Sequence, residues 1–295
     1  MQYVFHLGAH KTASGFLQGN LAANLDILRA QGVFYVNEEM PVALQRARKT
    51  VNRLYHPARA IPEPDALAAI NSKITRRAEA AGATTVLISE PDLLGPSMHQ
   101  ALAWGIDNPG FYTQAPAALR LITSGLPAAH TRLLMFSRRP ETYIVSLYSE
   151  AIRSAQLNLD LAAFCRAVNF NAIDFASLRD RLQAVDPALD LNMRAFERIK
   201  LGAETYLRTF LRDLGADPAA FVLTKTDPRP QLDANQVEAL RQISMRGQSE
   251  RWRLVKKLRD QVLSYAPDPA YPLELPSWVR DSLSVTSEGR RSGAA

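Results

Sequence analysis

The chain of 295 residues has a single cysteine, Cys165, which excludes an intramolecular disulfide and fits a reducing cytoplasm. The pattern Leu161-Ala-Ala-Phe-Cys165 is that of a buried helix position, with no neighbour suited to activate the thiol. Long hydrophobic runs are also missing. No stretch approaches the roughly eighteen apolar residues of a membrane-spanning helix. The N-terminus enters a strand at once, without the basic, apolar and small-residue segments of a secretion signal. Histidine is scarce: the five (6, 10, 56, 99 and 130) have no ligand spacing with cysteine or carboxylates, so no metal site is expected. Zinc-finger, RNA-recognition and helix-turn-helix signatures are absent, which argues against nucleic acid as a partner. No internal repeat is visible.

What is present is an ordinary globular composition, 47% hydrophobic and 22% charged. Its length suits one α/β domain over residues 1–295, with a loose polar tail from about 284. The net charge of +6, from 35 basic and 29 acidic residues, favours anionic ligands. The arginine-rich stretch from Arg241 to Arg259 reads as solvated helix surface rather than a polymer-binding patch. Apolar or β-branched runs at 3–7, 33–36, 84–89, 132–137 and 189–196 read as strands, with 221–223 as a short last one. Helical periodicity lies between them. Leu17, Leu21, Leu25 and Leu28 share one face; Leu67, Ile70 and Ile74 form another; Ile144, Leu147, Tyr148 and Ala151 a third. Leu207, Phe210, Leu211 and Leu214 give a helix stopped by Gly215, and 159–185 and 235–265 are also helical. Residues 37–65, with four prolines, read as a long irregular segment, and 95–130 as a Gly- and Pro-rich stretch with three short helices. Such alternation predicts a mainly parallel sheet covered on both faces. Ligands bind such sheets at the carboxyl ends of the strands, so the strand ends carrying Lys11, Glu90 and Arg138 are expected to converge.

The first strand end carries the most chemistry. Tyr3-Val-Phe-His-Leu runs into Gly8-Ala9-His10-Lys11-Thr12-Ala13-Ser14, and helical periodicity begins there. Free backbone N–H groups at a helix start, with a lysine beside them, form an anion site. The spacing is not that of a Walker A loop, which needs four residues between its first glycine and Gly-Lys-Ser/Thr. A second strand-loop-helix unit begins at Arg132; its strand ends at Ser137, Arg138-Arg139-Pro140 forms the loop, and Ser146 follows eight residues after Arg138. A guanidinium fork and a hydroxyl reaching one point suit a phosphate monoester.

Together these stretches resemble the two phosphate motifs of the sulfotransferases, bacterial and carbohydrate-acting members in particular. Gly8, Lys11 and Thr12 match the family's 5′-phosphosulfate loop, usually Gly-x-x-Lys-Thr-Gly-Thr-Thr. Arg138 and Ser146 match its 3′-phosphate motif. The chain departs at Ala13-Ser14-Gly15, where the family usually reads Gly-Thr-Thr. The resemblance extends more diffusely over residues 3–240.

The resemblance implies a P-loop NTPase-like, three-layer α/β/α fold of sulfotransferase type. It also implies transfer of a sulfuryl group from 3′-phosphoadenylyl sulfate (PAPS) to a hydroxyl of a saccharide or small-metabolite acceptor, leaving adenosine 3′,5′-bisphosphate. In this scheme Lys11 stabilises the leaving phosphate. The N–H groups of Ala9 to Ser14, beside Gly8 and including His10 and Ala13, hold the 5′-phosphate with the Thr12 and Ser14 hydroxyls. Arg138 and Ser146 hold the 3′-phosphate, and no metal is needed. Glu90, just past the third strand, stands where carbohydrate-type members place the base, although a carboxylate before Pro91 also suits a helix start. His10 is the reserve base. Two other readings stay open: a P-loop kinase-like phosphotransferase, and a nucleotide-binding protein of this fold without turnover.

Overall fold

In β1 (Gln2–His6) consecutive residues are buried, as expected of a central strand covered on both sides. The computed structural model of the chain describes residues 1–56, 58–154, 157–224, 230–246 and 252–292. From β1 the chain enters α1 (Ser14–Ala23) and α2 (Leu25–Ala30). Next come β2 (Val33–Tyr35), α3 (Val36–Glu39), α4 (Pro41–Asn52) and α5 (Ala68–Ala80). β3 (Thr85–Ser89) ends in a 3-10 turn, Pro91–Leu94, followed by α6 (Met98–Ala103) and α7 (Ala115–Ile122). β4 (Thr131–Ser137) precedes α8 (Pro140–Arg153), α9 (Leu161–Ala167) and α10 (Phe175–Gln183). β5 (Asp190–Ala195) precedes α11 (Ala203–Leu214), α12 (Ala234–Arg246), α13 (Trp252–Ser264) and α14 (Ser277–Ser292).

The five strands form one sheet in the order β2-β3-β1-β4-β5, and every neighbouring pair is parallel. This is the expected α/β architecture, a parallel sheet flanked by helices and consistent with a P-loop-like fold. The register sets His6 against Ser89 on one side and Leu134 on the other. The loops after β1, β3 and β4 therefore leave the same edge of the sheet.

By its contacts the chain forms two compact units that interleave in sequence. The first holds Met1–Pro96, Tyr112–Arg138 and Phe175–Arg229, and so the whole sheet. One face of that sheet (Val4, Val33, Tyr35, Leu87, Leu134, Phe136) packs against Phe16, Leu17 and Leu21 of α1 and Leu207, Phe210 and Leu211 of α11. On the other face Phe5 and Ile88 share an apolar lining with Leu44 of α4, Ile74 of α5 and Ile122 of α7. The second unit holds Ser97–Phe111, Arg139–Asp174 and Pro230–Ala295. There α8 packs with α6, α12 and α14. Arg259, 8% exposed, donates to the carbonyls of Ile152 and Arg153 at the end of α8 and to Leu240 O and Ser244 Oγ of α12. It thereby satisfies carbonyls that helix ends leave without partners. Cys165 is buried in α9, and burial pushes its thiol up to about 12, as its helix position predicts.

Several expectations need correction. The leucine face from 17 to 28 belongs to two helices, because Asn24 interrupts it and spends its amide on Asn20 O and Val222 O. Much of 37–65 is helical: Pro41 stands at the first position of α4, where proline begins a helix instead of breaking one. Residues 221–223 form no strand; Val222 N and Thr224 N donate to the side chains of Asn24 and Asn20 instead of a neighbouring strand. The tail expected to be loose from 284 continues α14 to Ser292, and residues 293–295 lie outside the described residues, as do 247–251 of the arginine-rich stretch. Among the described residues, no helix is long and apolar enough to cross a membrane.

Candidate anion site

The loop after β1 directs several of its carbonyls into the protein and leaves the N–H groups at its C-terminal end uncommitted. Phe136 N donates to Gly8 O (2.6 Å), and the Thr12 hydroxyl donates to Ala9 O (2.7 Å). Arg138 Nη1 donates to Lys11 O (2.5 Å) and the Tyr206 hydroxyl to Thr12 O (3.0 Å). Ala13 O accepts the N–H groups of Phe16 and Leu17 in the first turn of α1. Ala9 N–H and His10 N–H are also committed, to Phe136 O (3.3 Å) and the Tyr112 hydroxyl (2.9 Å). By contrast, the N–H groups of Thr12, Ala13, Ser14 and Gly15 donate to nothing among the described residues. The uncommitted run thus spans 12 to 15, starting three residues later and ending one residue later than the span from Ala9 to Ser14 read from sequence.

This arrangement needs unusual backbone angles. Gly8 has φ +88, and a Cβ there would lie 3.0 Å from both His10 N and Pro91 Cβ, so any side chain at this position is strained. Lys11 (φ 62) and Ala13 (φ 59) take the left-handed conformation without being glycine. Each costs about 1–2 kcal/mol, which the surrounding bonds must offset. Ala13 is the position at which sulfotransferase loops usually carry glycine, and Gly15 meets no neighbour that would require one. Ser14 is 9% exposed, and its hydroxyl is buried with no partner among the described residues. A buried hydroxyl in that state costs free energy until something bonds it.

Across the sheet edge, Glu90 N–H continues the strand pattern to His6 O (2.9 Å), and the Glu90 carboxylate accepts Asp92 N–H (3.3 Å), capping the turn Pro91–Leu94. The helix-start role is therefore filled. Arg48 of α4 reaches both carboxylates, 3.7 Å from Glu90 Oε2 and 3.5 Å from Asp92 Oδ2. Burial raises the Glu90 pKa, and the charge of Asp92 raises it further, against the Asp92 N–H, Arg48 and His10. His10 is 9% exposed and uses both ring nitrogens: Nδ1 lies 2.6 Å from the Tyr112 hydroxyl and Nε2 lies 2.8 Å from Asp92 Oδ1. Beneath them, His6 Nδ1 bonds Ser89 Oγ (2.7 Å), while Gln18 and Asn37 donate to Ser89 O, which fixes the end of β3.

Arg138 closes the loop from the β4 side, its guanidinium 4.8 Å from the Phe196 ring centre. The first unit thus gathers Gly8 to Ser14, Glu90 and Arg138 on one sheet edge. Ser146 belongs to the second unit, on α8, 8% exposed. Arg48, Asp92 and Tyr112 were missed by the sequence reading. Asp92 could have been found two residues after Glu90, in the turn that Pro91 starts. Arg48 and Tyr112 lay in stretches without readable periodicity. Among the described residues, no group of three or more His, Cys, Asp or Glu side chains could hold a metal ion.

No protein-family model matches the chain, and no curated protein does. Among solved structures, the chain is similar to a sulfotransferase from Alicyclobacillus acidocaldarius, with a TM-score of 0.47 and 12% identity over 92% of this chain and 98% of that one.

Proposed function

We propose that the chain is a sulfotransferase that moves a sulfuryl group from PAPS to an acceptor hydroxyl, on a saccharide or small metabolite, in the cytoplasm. The observation that carries this reading is the run of four N–H groups from Thr12 to Gly15 that, like the buried Ser14 hydroxyl beside Lys11, have no partner among the described residues. The oxygens of one phosphate group could accept from all of them, and the N-terminal dipole of α1 favours its charge. In the proposed reaction the bond from sulfur to the bridging phosphate oxygen breaks, and a bond from sulfur to the acceptor oxygen forms. Lys11 balances the charge left on the phosphate, and the acceptor proton passes to Glu90, whose raised affinity for protons suits a base. Arg138 is assigned to the 3′-phosphate, with Ser146 assigned by sequence spacing alone.

One observation favours a second reading, nucleotide binding without turnover. The Thr12 hydroxyl is spent on Ala9 O, and alanine stands at position 13, so the loop offers one hydroxyl donor, Ser14, where the family's has more.

Titration calorimetry with adenosine 3′,5′-bisphosphate, ADP and ATP with magnesium tests the proposal. Binding of the bisphosphate in preference to the others is expected. Lys11→Ala and Glu90→Gln should keep that binding within a few-fold while lowering sulfuryl transfer from PAPS by about a hundredfold or more. Preference for ATP with magnesium would replace the proposal with a kinase-like activity. Bisphosphate binding with no transfer to any screened hydroxyl would favour the second reading.

A further inference from the structure

His10 does not point its ring at the cradle. It bridges two elements of the first unit: the loop after β1 and the acidic turn after β3. Its Nε2 bonds Asp92 Oδ1 at 2.8 Å, and its Nδ1 bonds the Tyr112 hydroxyl at 2.6 Å. The same hydroxyl accepts the His10 backbone N–H at 2.9 Å, so Tyr112 holds both the ring and the main chain of the residue next to Lys11. The two rings are also stacked, 5.8 Å between centres and 25° between planes. Tyr112 is 3% exposed and has φ 49, a conformation an aromatic residue keeps only when its surroundings hold it. On the far side Asp92 is shared with Arg48, which also reaches Glu90. Every polar atom of His10's ring is thus used, and each partner is itself anchored.

We propose that His10 is a positioning residue, a fixed spacer that sets the distance between Lys11 on the anion loop and Glu90 on the acidic turn. The nucleotide cradle lies at 12–15 and does not need the imidazole to bind anions. Transfer does need it, because the leaving oxygen and the acceptor proton are handled by residues on opposite sides of this bridge. A displacement of about 1 Å between such groups costs on the order of a hundredfold in rate. The kinetic part of the inference rests on the proposed sulfuryl transfer; the bridge itself does not.

The test therefore has two arms, both on the full chain. In the first, ¹⁵N-histidine NMR compares wild type with Tyr112→Phe and Asp92→Asn, with His10→Gln identifying the signals. The Nδ1 resonance of His10 should move in Tyr112→Phe and the Nε2 resonance in Asp92→Asn. Resonances unmoved by both changes would overturn the bridge. In the second arm, His10→Ala should lower kcat about 10- to 100-fold while the bisphosphate Kd stays within about threefold. His10→Gln, whose amide can still donate to Asp92, should recover most of the rate. The Asp92→Asn and His10→Ala losses should not add, as expected for residues acting as one unit. A parallel loss of affinity and melting temperature without a specific fall in kcat, or no rescue by glutamine, would reduce His10 to ordinary packing. A wild-type chain that binds no bisphosphate would overturn the proposed function, and the NMR arm would then decide the bridge by itself.

Discussion

At the scale of single residues, the informative positions are polar groups in places where polar groups are costly. Ser14 buries a hydroxyl with no partner among the described residues, so its removal should cost the empty protein little. Ser14→Ala is expected to melt within about 2 °C of wild type while its affinity for the bisphosphate falls about tenfold, since the bond lost is to a charged oxygen. Equal affinity would take the hydroxyl out of the cradle. His6 is the opposite case, fully buried with one ring nitrogen on Ser89 and the other unpartnered among the described residues, between the rings of Phe136 and Phe210. Burial pushes its pKa from 6.5 down to about 3. The unfolded chain therefore takes up a proton that the folded chain refuses. Stability contributed above pH 6.5 is lost as the pH falls from there toward 3. Each unit is worth about 1.4 kcal/mol, so urea midpoints should drop steeply over that range and much less in His6→Asn. An unchanged acid profile in the variant would place the sensitivity elsewhere.

At the scale of elements, the sequence reading succeeded where one period dominated. The strands at 84–89 and 132–137 were legible because β-branched and apolar runs bounded by turn residues have few other folded uses, and α11 because Gly215 takes the left-handed stop its position predicts. Lys11, Glu90 and Arg138 were placed at the same sheet edge because parallel order alone requires it. Where reading failed, two signals competed. Pro41 marks a helix start and a loop equally well, and with α4 went Arg48, the cation beside both carboxylates. Local sequence also cannot show that Phe136 and Tyr112 take the N–H groups of Ala9 and His10, which leaves the uncommitted run at 12–15. The loop after β1 yields its own prediction. Gly8→Ala would force a Cβ to within 3.0 Å of Pro91 and of His10 N in a conformation alanine avoids. A destabilisation of about 1–3 kcal/mol and loss of bisphosphate binding are expected by denaturation and calorimetry. Wild-type binding in this variant would mean that the cradle tolerates another loop conformation.

At the scale of the whole molecule, two units imply that unfolding need not be a single transition. Arg259 provides the means to separate them, since its hydrogen bonds among the described residues lie within the second unit, to the end of α8 and to α12. Arg259→Met removes these hydrogen bonds, each worth about 1.5–3 kcal/mol because the donor is charged. Helix signal should then be lost in an early phase during urea unfolding, while the first unit, reported by His6 resonances, unfolds where it does in wild type. A single, uniformly shifted transition would show that the units unfold together.

The interleaving of the units also bears on how the protein is made. The chain passes between them five times, at 96/97, 111/112, 138/139, 174/175 and 229/230. On a ribosome, the sheet has all five strands once β5 has emerged, and the first unit is complete at Arg229. At that moment the second unit consists of two tethered pieces, 97–111 and 139–174, with Phe111, Tyr143, Tyr148 and Phe164 awaiting α12, α13 and α14. Synthesis thus has a late window in which a finished first unit carries unfinished apolar segments. Holdase chaperones would engage the nascent chain there, and premature stop codons between 230 and 276 would be most damaging.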